Sequence, residues 1–136
     1  MNLNDKIRLF PRSLKVDSRG WFLKAMTGTE QDRALCGGEI YLTMALPGQS
    51  RGNHYHPKGN EWFTVFQGIC HACFVDVFSG ERLEMSLSGD QPVTIYVPAG
   101  VGHVFVNPAT QPDPLLLLAY ADRVHDPADT IPLDIL

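Results

Sequence analysis

The stretch that decides the fold of this chain is residues 48–68, which read GQSRGNHYHPKGNEWFTVFQG. His54 and His56 are separated by one residue, and Glu61 follows them after a Pro-Lys-Gly-Asn turn. Because alternate residues of a strand share a face, the two imidazoles point the same way, about 7 Å apart along the chain. The turn returns the chain antiparallel, with Glu61 leading the next strand. This pattern predicts a hairpin with three metal-ligating side chains on one face.

A further candidate strand, residues 102–106, supplies a fourth ligand. Three imidazoles and one carboxylate suit a divalent ion and leave positions open for water or substrate. Zn is the first choice, and Fe, Mn, Ni and Co are the alternatives. We therefore expect one ion, in a catalytic or a purely structural role, on His54, His56, Glu61 and His103.

The rest of the chain also reads as short strands. No window of eleven or more residues keeps an apolar face at a 3.6-residue period, whereas segments rich in β-branched and aromatic residues alternate with turn formers. These candidate strands are residues 7–9, 20–26, 39–46, 50–56, 61–67, 71–78, 81–86, 93–97, 102–106 and 115–121. Such spacing predicts an all-β sandwich or barrel. At 136 residues we expect one domain, with residues 122–136 as an irregular tail over it.

Composition argues against several classes of partner. The net charge is -4, whereas binding to nucleic acid or anionic lipid favours a clustered basic surface. The longest purely apolar stretch, residues 115–120, is far shorter than the ~20 residues that cross a bilayer, and residues 1–12 are too polar for a signal peptide. We expect a cytoplasmic protein without a nucleic-acid or membrane partner.

The three cysteines, Cys36, Cys70 and Cys73, are an odd number and agree with a reducing compartment. Cys70 and Cys73 have the C-x-x-C spacing of redox and zinc sites. Residues three apart in a strand point to opposite faces, however, so the two thiols cannot easily meet. We interpret them as buried, inert thiols.

Residues 48–68 match the first cupin motif in full, and residues 98–107 match the second cupin motif apart from its leading glycine. The string DSRGWF at residues 17–22 resembles the Asp-x-Arg-Gly-x-Phe segment of the dTDP-4-dehydrorhamnose 3,5-epimerases, and residues 51–54 resemble their Arg-Gly-x-His segment. Residues 51–56, 88–90 and 122–130 resemble the cupin domain of bifunctional capsular-polysaccharide enzymes even more. This RmlC-like resemblance implies a double-stranded β-helix, the jelly-roll barrel.

The resemblance also implies a function. It predicts an epimerase or ketoisomerase that abstracts a proton next to the ketone of a nucleotide-linked 4-keto-6-deoxy sugar, for surface polysaccharide synthesis. The same four ligands would also serve a metal-dependent oxygenase or an isomerase of free sugars. A third alternative is a non-catalytic sugar-binding cupin whose metal is structural.

The resemblance assigns roles to individual residues. His54 occupies the position of the epimerase base, although a histidine that ligates a metal cannot accept a proton in the same state, and His125 is a candidate substitute for the epimerase tyrosine. The three candidate catalytic residues are His54, His125 and Tyr41. The candidate substrate-binding residues are Arg19, Arg51, Lys24, Lys58, Tyr96 and Phe105.

The 61–67 strand is apolar on both faces, so one face should line the barrel and the other should be covered by a second sheet or a second subunit. We expect a homodimer, with the N-terminal strand donated across the interface as in the resembling families. Arg19 would then complete the partner's pocket.

Overall fold

The computed structural model describes residues 1–18, 20–28, 30 and 37–136. Nearly all regular structure in this part of the chain is β-strand. The elements in chain order are α1 (Leu3–Lys6), β1 (Arg8–Pro11), β2 (Leu14–Asp17), β3 (Gly20–Leu23), β4 (Glu39–Ala45), β5 (Ser50–Tyr55), β6 (Glu61–Gln67), β7 (Ile69–Asp76), β8 (Arg82–Ser88), β9 (Val93–Val97), β10 (Val101–Val106), β11 (Leu115–Ala121), a 3-10 turn (Pro127–Asp129) and β12 (Ile131–Pro132).

The strands form two five-stranded antiparallel sheets. The first sheet has the order β1-β9-β6-β11-β4, the second has the order β12-β5-β10-β7-β8, and β2 pairs only with β3 in a separate hairpin. One buried apolar cluster contains residues of both five-stranded sheets, among them Phe63 of β6 and Phe105 of β10. The sheets therefore pack face to face around a common core. The prediction of an all-β jelly-roll barrel is confirmed.

The surroundings of strand β6 explain why its side chains are apolar on both faces. Phe63 and Val65 point into the barrel cluster. Trp62 points outwards, where its ring lies 4.9 Å from that of Tyr96 and 5.5 Å from that of Tyr120, and it is fully buried. Burial of a large apolar side chain contributes about 1.5–3 kcal/mol, so the outer aromatic layer stabilises the first sheet as the barrel core does.

The N-terminal region contains two elements that the sequence did not predict. Strand β2 was not expected, and it forms only by pairing with β3. The helix α1 is a single turn, too short for a 3.6-residue pattern. It is held by a capping box between Asn2 and Asp5.

The C-terminal tail is more regular than expected. It contains the 3-10 turn, and β12 pairs with β5 at Tyr55 and His54. Ile135 is buried against Cys73 and Val104 on the outer face of the second sheet. Two-residue pairing leaves no sequence pattern, which is why the tail was read as irregular.

Cys70 belongs to the barrel cluster and Cys73 to the outer cluster, so the two free thiols lie on opposite faces of β7. Burial raises the pKa of Cys70 to about 12 and also raises the pKa of Cys73. Both thiols are therefore protonated at neutral pH, and their expected separation is confirmed. Cys36 lies outside the described residues.

Within the described ranges, the chain has no helix with the length and apolarity of a membrane span.

Candidate functional site

The four predicted ligands converge at one end of the barrel. His54 lies on β5, Glu61 opens β6, and His103 lies on β10 directly opposite His54 in the strand pairing. His56 follows the end of β5 at the start of the 57–60 turn. One possible ligand atom from each of the four residues lies within 4.8 Å of all the others.

An irregularity in β5 aims both its arginine and its histidine into the barrel. His54 pairs with His103, but Gly52 pairs with Val104, so Asn53 is an extra residue in β5. Asn53 has φ 59° and Gly52 has φ 115°. Because of this bulge, Arg51 and His54, three residues apart, line the same cavity.

Gly52 is required by this bulge. A Cβ atom at this position would lie 2.4 Å from the backbone oxygen of His103. The positive φ also favours glycine. The Arg-Gly-x-His string therefore has a local physical reason in addition to its resemblance.

The distances between the four residues fit a shared ion. Nε2 of His56 lies 2.7 Å from Oε1 of Glu61, and Nε2 of His103 lies 3.9 Å from the same oxygen. The ring centroids of His54 lie 4.9 Å from His56 and 4.8 Å from His103. An ion about 2.1 Å from each ligand keeps any two of them within about 4.2 Å. The widest pair, which can be up to 4.8 Å apart, would therefore have to close by about half an ångström or more around such an ion.

The contact between His56 and Glu61 supports the same fit. Nδ1 of His56 lies 2.8 Å from the backbone oxygen of Asp129, which can only accept, so Nδ1 carries a hydrogen and Nε2 of the neutral ring has a lone pair. Oε1 of Glu61 is buried and has no hydrogen-bond partner among the described residues. Two acceptors 2.7 Å apart need a proton or a cation between them. A bound cation would satisfy both atoms.

The charge states suit metal ligation. Burial lowers the pKa of His103 to about 3, and burial together with the charge of His56 lowers the pKa of His54. Burial opposes ionisation of Glu61, but the contacts with His56, His103 and Tyr41 together outweigh it and lower the pKa of this carboxyl. Burial also opposes the charge on His56, but the Glu61 carboxylate raises its pKa. His103 and His54 are thus neutral and Glu61 is ionised at neutral pH, as ligands must be.

Two cavities meet at Tyr41 and His54, which line both. The outer cavity, about 320 Å³, is walled by β4 and by residues of the C-terminal segment, including His125 and Asp129. The inner cavity, about 350 Å³, is lined by polar residues such as Arg51, Thr43 and Ser50 and by apolar residues of the barrel. A sugar that entered either cavity would meet the four-residue cluster.

Tyr41 is held against the cluster. Its hydroxyl donates to Oε2 of Glu61 at 2.5 Å. Burial raises the pKa of Tyr41 well above its usual value, and the charge of Glu61 raises it further. Tyr41 therefore keeps its proton at neutral pH and can donate a hydrogen bond.

His125 is exposed at the wall of the outer cavity and is not part of the ligand cluster. Its backbone nitrogen donates to Oε1 of Glu39, which fixes the C-terminal segment against β4. His125 lies near enough to His54 for its charge to contribute to the lowered pKa of His54. Of the three histidines that line the outer cavity, His54 and His56 belong to the ligand cluster and His125 does not.

Two predicted substrate-binding residues line the inner cavity. Arg51 donates from Nε to the backbone oxygen of Met44 at 2.7 Å and is exposed. Phe105 lines the same cavity with its ring 4.8 Å from that of Phe63, and it is also part of the barrel core. The expectation that Phe105 lines the pocket agrees with this position.

Three predicted substrate-binding residues lie elsewhere. Tyr96 is on the outer face of the first sheet, stacked on Trp62, because residue 96 pairs with residue 62 on that face. Lys24 lines a separate groove beside Arg12 and Lys15. Lys58 is exposed in the 57–60 turn and lines neither cavity. These three side chains thus line neither cavity at the four-residue cluster, and their contact with substrate stays a prediction. Arg19 lies outside the described residues.

The cavity also contains residues that the sequence analysis did not select. Glu39, Arg123, Asp129 and Thr130 line the outer cavity. Three of them lie within the 122–130 segment, for which the sequence indicates a family resemblance and an irregular tail but no site residue other than His125. Their contribution depends on contacts across about 70 residues of chain, such as that between His56 and Asp129, and no local pattern encodes such contacts.

A double-sheet jelly roll with three histidines and one glutamate clustered in its cavity defines the chain as a cupin. Residues 15–131 match the family model described as the polysaccharide biosynthesis C-terminal domain. The chain belongs to this family.

Individual relatives agree with the family. The chain is 26% identical over 110 residues to UDP-2-acetamido-2,6-beta-L-arabino-hexul-4-ose reductase of Pseudomonas aeruginosa, with 81% of this chain and 27% of that protein covered. It is 28% identical to the capsular polysaccharide assembling protein CapF of Staphylococcus aureus, with a TM-score of 0.67, covering 92% of this chain and 35% of that one. The chain thus spans about a quarter to a third of the length of these relatives.

The rmlC epimerase of Mycobacterium tuberculosis is more distant in sequence than CapF, although its fold is similar. It is 19% identical, with a TM-score of 0.79, and the match covers 96% of this chain and 70% of that one. At this identity the likeness concerns the fold. The prediction of an RmlC-like cupin similar to the capsular-polysaccharide enzymes is confirmed.

Proposed function

We propose that this chain is an isomerase-type cupin that enolises a nucleotide-linked 4-keto-6-deoxy sugar during surface polysaccharide synthesis. The observation that carries the proposal is the cluster of His54, His56, Glu61 and His103 at the meeting point of two cavities. A proton next to a ketone is weakly acidic, so its removal needs a base and a stabiliser of the enolate oxygen. Membership of the polysaccharide biosynthesis family supports the substrate class.

A uridine diphosphate sugar is the first substrate to try. The Pseudomonas relative carries a UDP-linked hexulose in its name, and the match to it covers most of this chain. Arg51 supports an anionic substrate, because its guanidinium lies at the inner cavity and offers several donors to a diphosphate. The outer cavity also has an arginine, Arg123, but it lies beside the carboxylates of Glu39 and Asp126 in that wall. We propose that the diphosphate lies at the Arg51 end.

The protein's own groups divide the proton transfers. We assign proton abstraction to His125, because His54 belongs to the ligand cluster and a ligated nitrogen cannot accept a proton. Tyr41, which keeps its proton, would turn its hydroxyl hydrogen from Glu61 to donate a hydrogen bond to the developing oxygen. When bound at the four ligands, a divalent ion, Zn as the first choice, supplies a Lewis acid for the ketone oxygen.

A homodimer is part of the proposal. Strand β4 is an edge of the first sheet, and Ile40 and Leu42 on its outer face are 67% and 68% exposed. The β2–β3 hairpin, paired with neither sheet, also exposes Trp21 and Phe22. Adjacent exposed apolar residues of this kind support a subunit interface.

The two buried, protonated thiols fit a reducing compartment, so we propose the cytoplasm as the place of action.

Proton exchange tests the proposal directly. A UDP-linked 4-keto-6-deoxy sugar is incubated with the protein in deuterated water, with and without chelator, and NMR follows the protons beside the ketone. We expect deuterium at one carbon, loss of exchange after chelation, and recovery with one divalent ion. Absence of exchange with UDP, dTDP and GDP sugars would contradict enolisation and favour the oxygenase or the sugar-binding alternative.

Substitution of His125 tests its assigned role in the same assay. His125→Gln should lower the exchange rate by about 10²–10⁴-fold, the usual effect of losing a general base. The matched control is His71→Gln, since His71 is a half-exposed histidine paired with Glu84 outside both cavities. Equal rates for wild type and His125→Gln would transfer the base role to another residue.

A further inference from the structure

The C-terminal segment, residues 126–136, runs along β5, the strand that carries His54 and leads directly into His56. Its strand β12 pairs with β5 at Tyr55 and His54. At the bulge, Asn53 accepts hydrogen bonds from the backbone nitrogens of Ile135 and Leu136 through its side chain, each at 3.1 Å. Ile135 is buried on the barrel. This segment is thus part of the support of the cluster.

Asp129 makes the contacts that link this segment to the ligands. Its side chain is buried, and its two carboxylate oxygens accept from the backbone nitrogens of Lys58 and Gly59 at 2.8 and 3.0 Å. Those nitrogens belong to the turn between His56 and Glu61. One aspartate therefore holds the short loop that sets the separation of two ligands.

The backbone of Asp129 acts on His56 itself. Its carbonyl oxygen accepts from Nδ1 of His56 at 2.8 Å, and the hydroxyl of Thr130 lies 3.4 Å from the same nitrogen. The bond places the ring hydrogen on Nδ1, which leaves Nε2 free to ligate and fixes the plane of the ring. Side chain and backbone of one residue thus set the position and the tautomer of the ligand.

We propose that Asp129 is a positioning residue of the metal site, and that metal binding and docking of the C-terminal segment stabilise each other. The inference rests on the metal site of the proposed function. Binding couplings are reciprocal. A substitution that loosens the C-terminal segment therefore lowers the affinity for the metal, and a bound metal in turn stabilises the docked segment.

The test measures metal binding, not catalysis. Dissociation constants for Zn²⁺ and Co²⁺ are determined by competition with a chromophoric chelator for the wild type, Asp129→Ala and Asp129→Asn. The control is Asp134→Ala, an exposed aspartate of the same segment. NMR of the imidazole nitrogens of the metal-free protein reports the tautomer of His56, and thermal melting of the metal-free variants reports stability separately.

We expect Asp129→Ala to weaken the binding of both ions by about 10–100-fold, the usual effect of removing a group that orients a ligand. Asp129→Asn keeps the size of the side chain but can accept hydrogen bonds with one atom only. Its dissociation constants should lie between those of Asp129→Ala and the wild type. Asp134→Ala should stay within about twofold of wild type, and the wild-type His56 should carry its hydrogen on Nδ1.

Each contrary result has a distinct meaning. If the wild type binds neither ion, the metal site of the proposed function fails and this inference fails with it. If the wild type binds but both Asp129 variants bind equally well, or if Asp134→Ala is weakened as much, only the inference is overturned. A wild-type His56 with a hydrogen on Nε2 and none on Nδ1 would also overturn it. Should Asp129→Ala not fold, the near-isosteric Asp129→Asn decides.

Discussion

At the scale of single residues, the site depends on the backbone of β5 as much as on its side chains. Gly52 allows the bulge that aims Arg51 and His54 into one cavity, and the backbone oxygen of His103 occupies the space that a side chain at residue 52 would need. A methyl group there must displace the strand that carries His103. Stability and metal affinity should therefore fall together.

Gly52→Ala should lower the free energy of unfolding by about 2–5 kcal/mol, from the clash and the strained φ, and should weaken Zn²⁺ binding. Urea denaturation and chelator competition measure the two effects. The control is Gly80→Ala: Gly80 also has positive φ, but a Cβ there meets nothing within 4 Å among the described residues. It should lose only about 1–2 kcal/mol, from φ strain. Equal losses at the two positions would contradict a clash at Gly52.

At the scale of elements, the short helix α1 is held to the second sheet by charge. Nζ of Lys6 lies 2.5 Å from Oδ2 of Asp76, whose side chain is almost fully buried at the end of β7. The hydrogen bond from Lys6 lowers the pKa of Asp76 despite its burial. A carboxyl whose pKa is lower in the folded state stabilises the fold above its unfolded pKa of about 3.9, and this contribution is lost as the pH falls through the folded value.

Lys6→Gln should therefore destabilise the protein by about 1–3 kcal/mol at pH 7, because it leaves a buried carboxylate without its cation. The difference from wild type should shrink below about pH 4 and disappear once Asp76 is protonated in both states. Chemical denaturation between pH 2.5 and 7 measures it. A difference that stays constant over this range would show that Lys6 acts by packing and not by charge.

At the scale of the whole molecule, the outer face of β4 is the largest uncovered apolar feature of the first sheet that we identify among the described residues. Ile40, Leu42 and Met44 lie on it in alternation and are 67%, 68% and 42% exposed. A second subunit that covered these side chains would remove them from water, and each would contribute about 1.5–3 kcal/mol if fully buried.

We expect the wild type to be a dimer by light scattering, and Leu42→Glu to shift it towards monomer, since burial of an unpaired carboxylate is costly. Phe78→Glu is the control, because Phe78 is 85% exposed at the β7–β8 turn of the other sheet. A monomeric wild type, or the same shift for both variants, would contradict the interface on β4.

The sequence by itself determined the all-β class, most strands and the four residues of the cluster. These features depend on short-range regularities: a two-residue strand period, turn formers between strands, and the His-x-His spacing before Glu61. The tertiary structure alone decided on which face Arg51 and Tyr96 lie. The bulge at Asn53 brings Arg51 to the side of His54, and the strand register sends Tyr96 outwards to Trp62. Likewise, the contact of Asp129 with His56 joins residues 73 positions apart. Local patterns encode periodicity within a strand, but bulges, register and the docking of a distant segment depend on how strands pack against one another, which no single segment specifies.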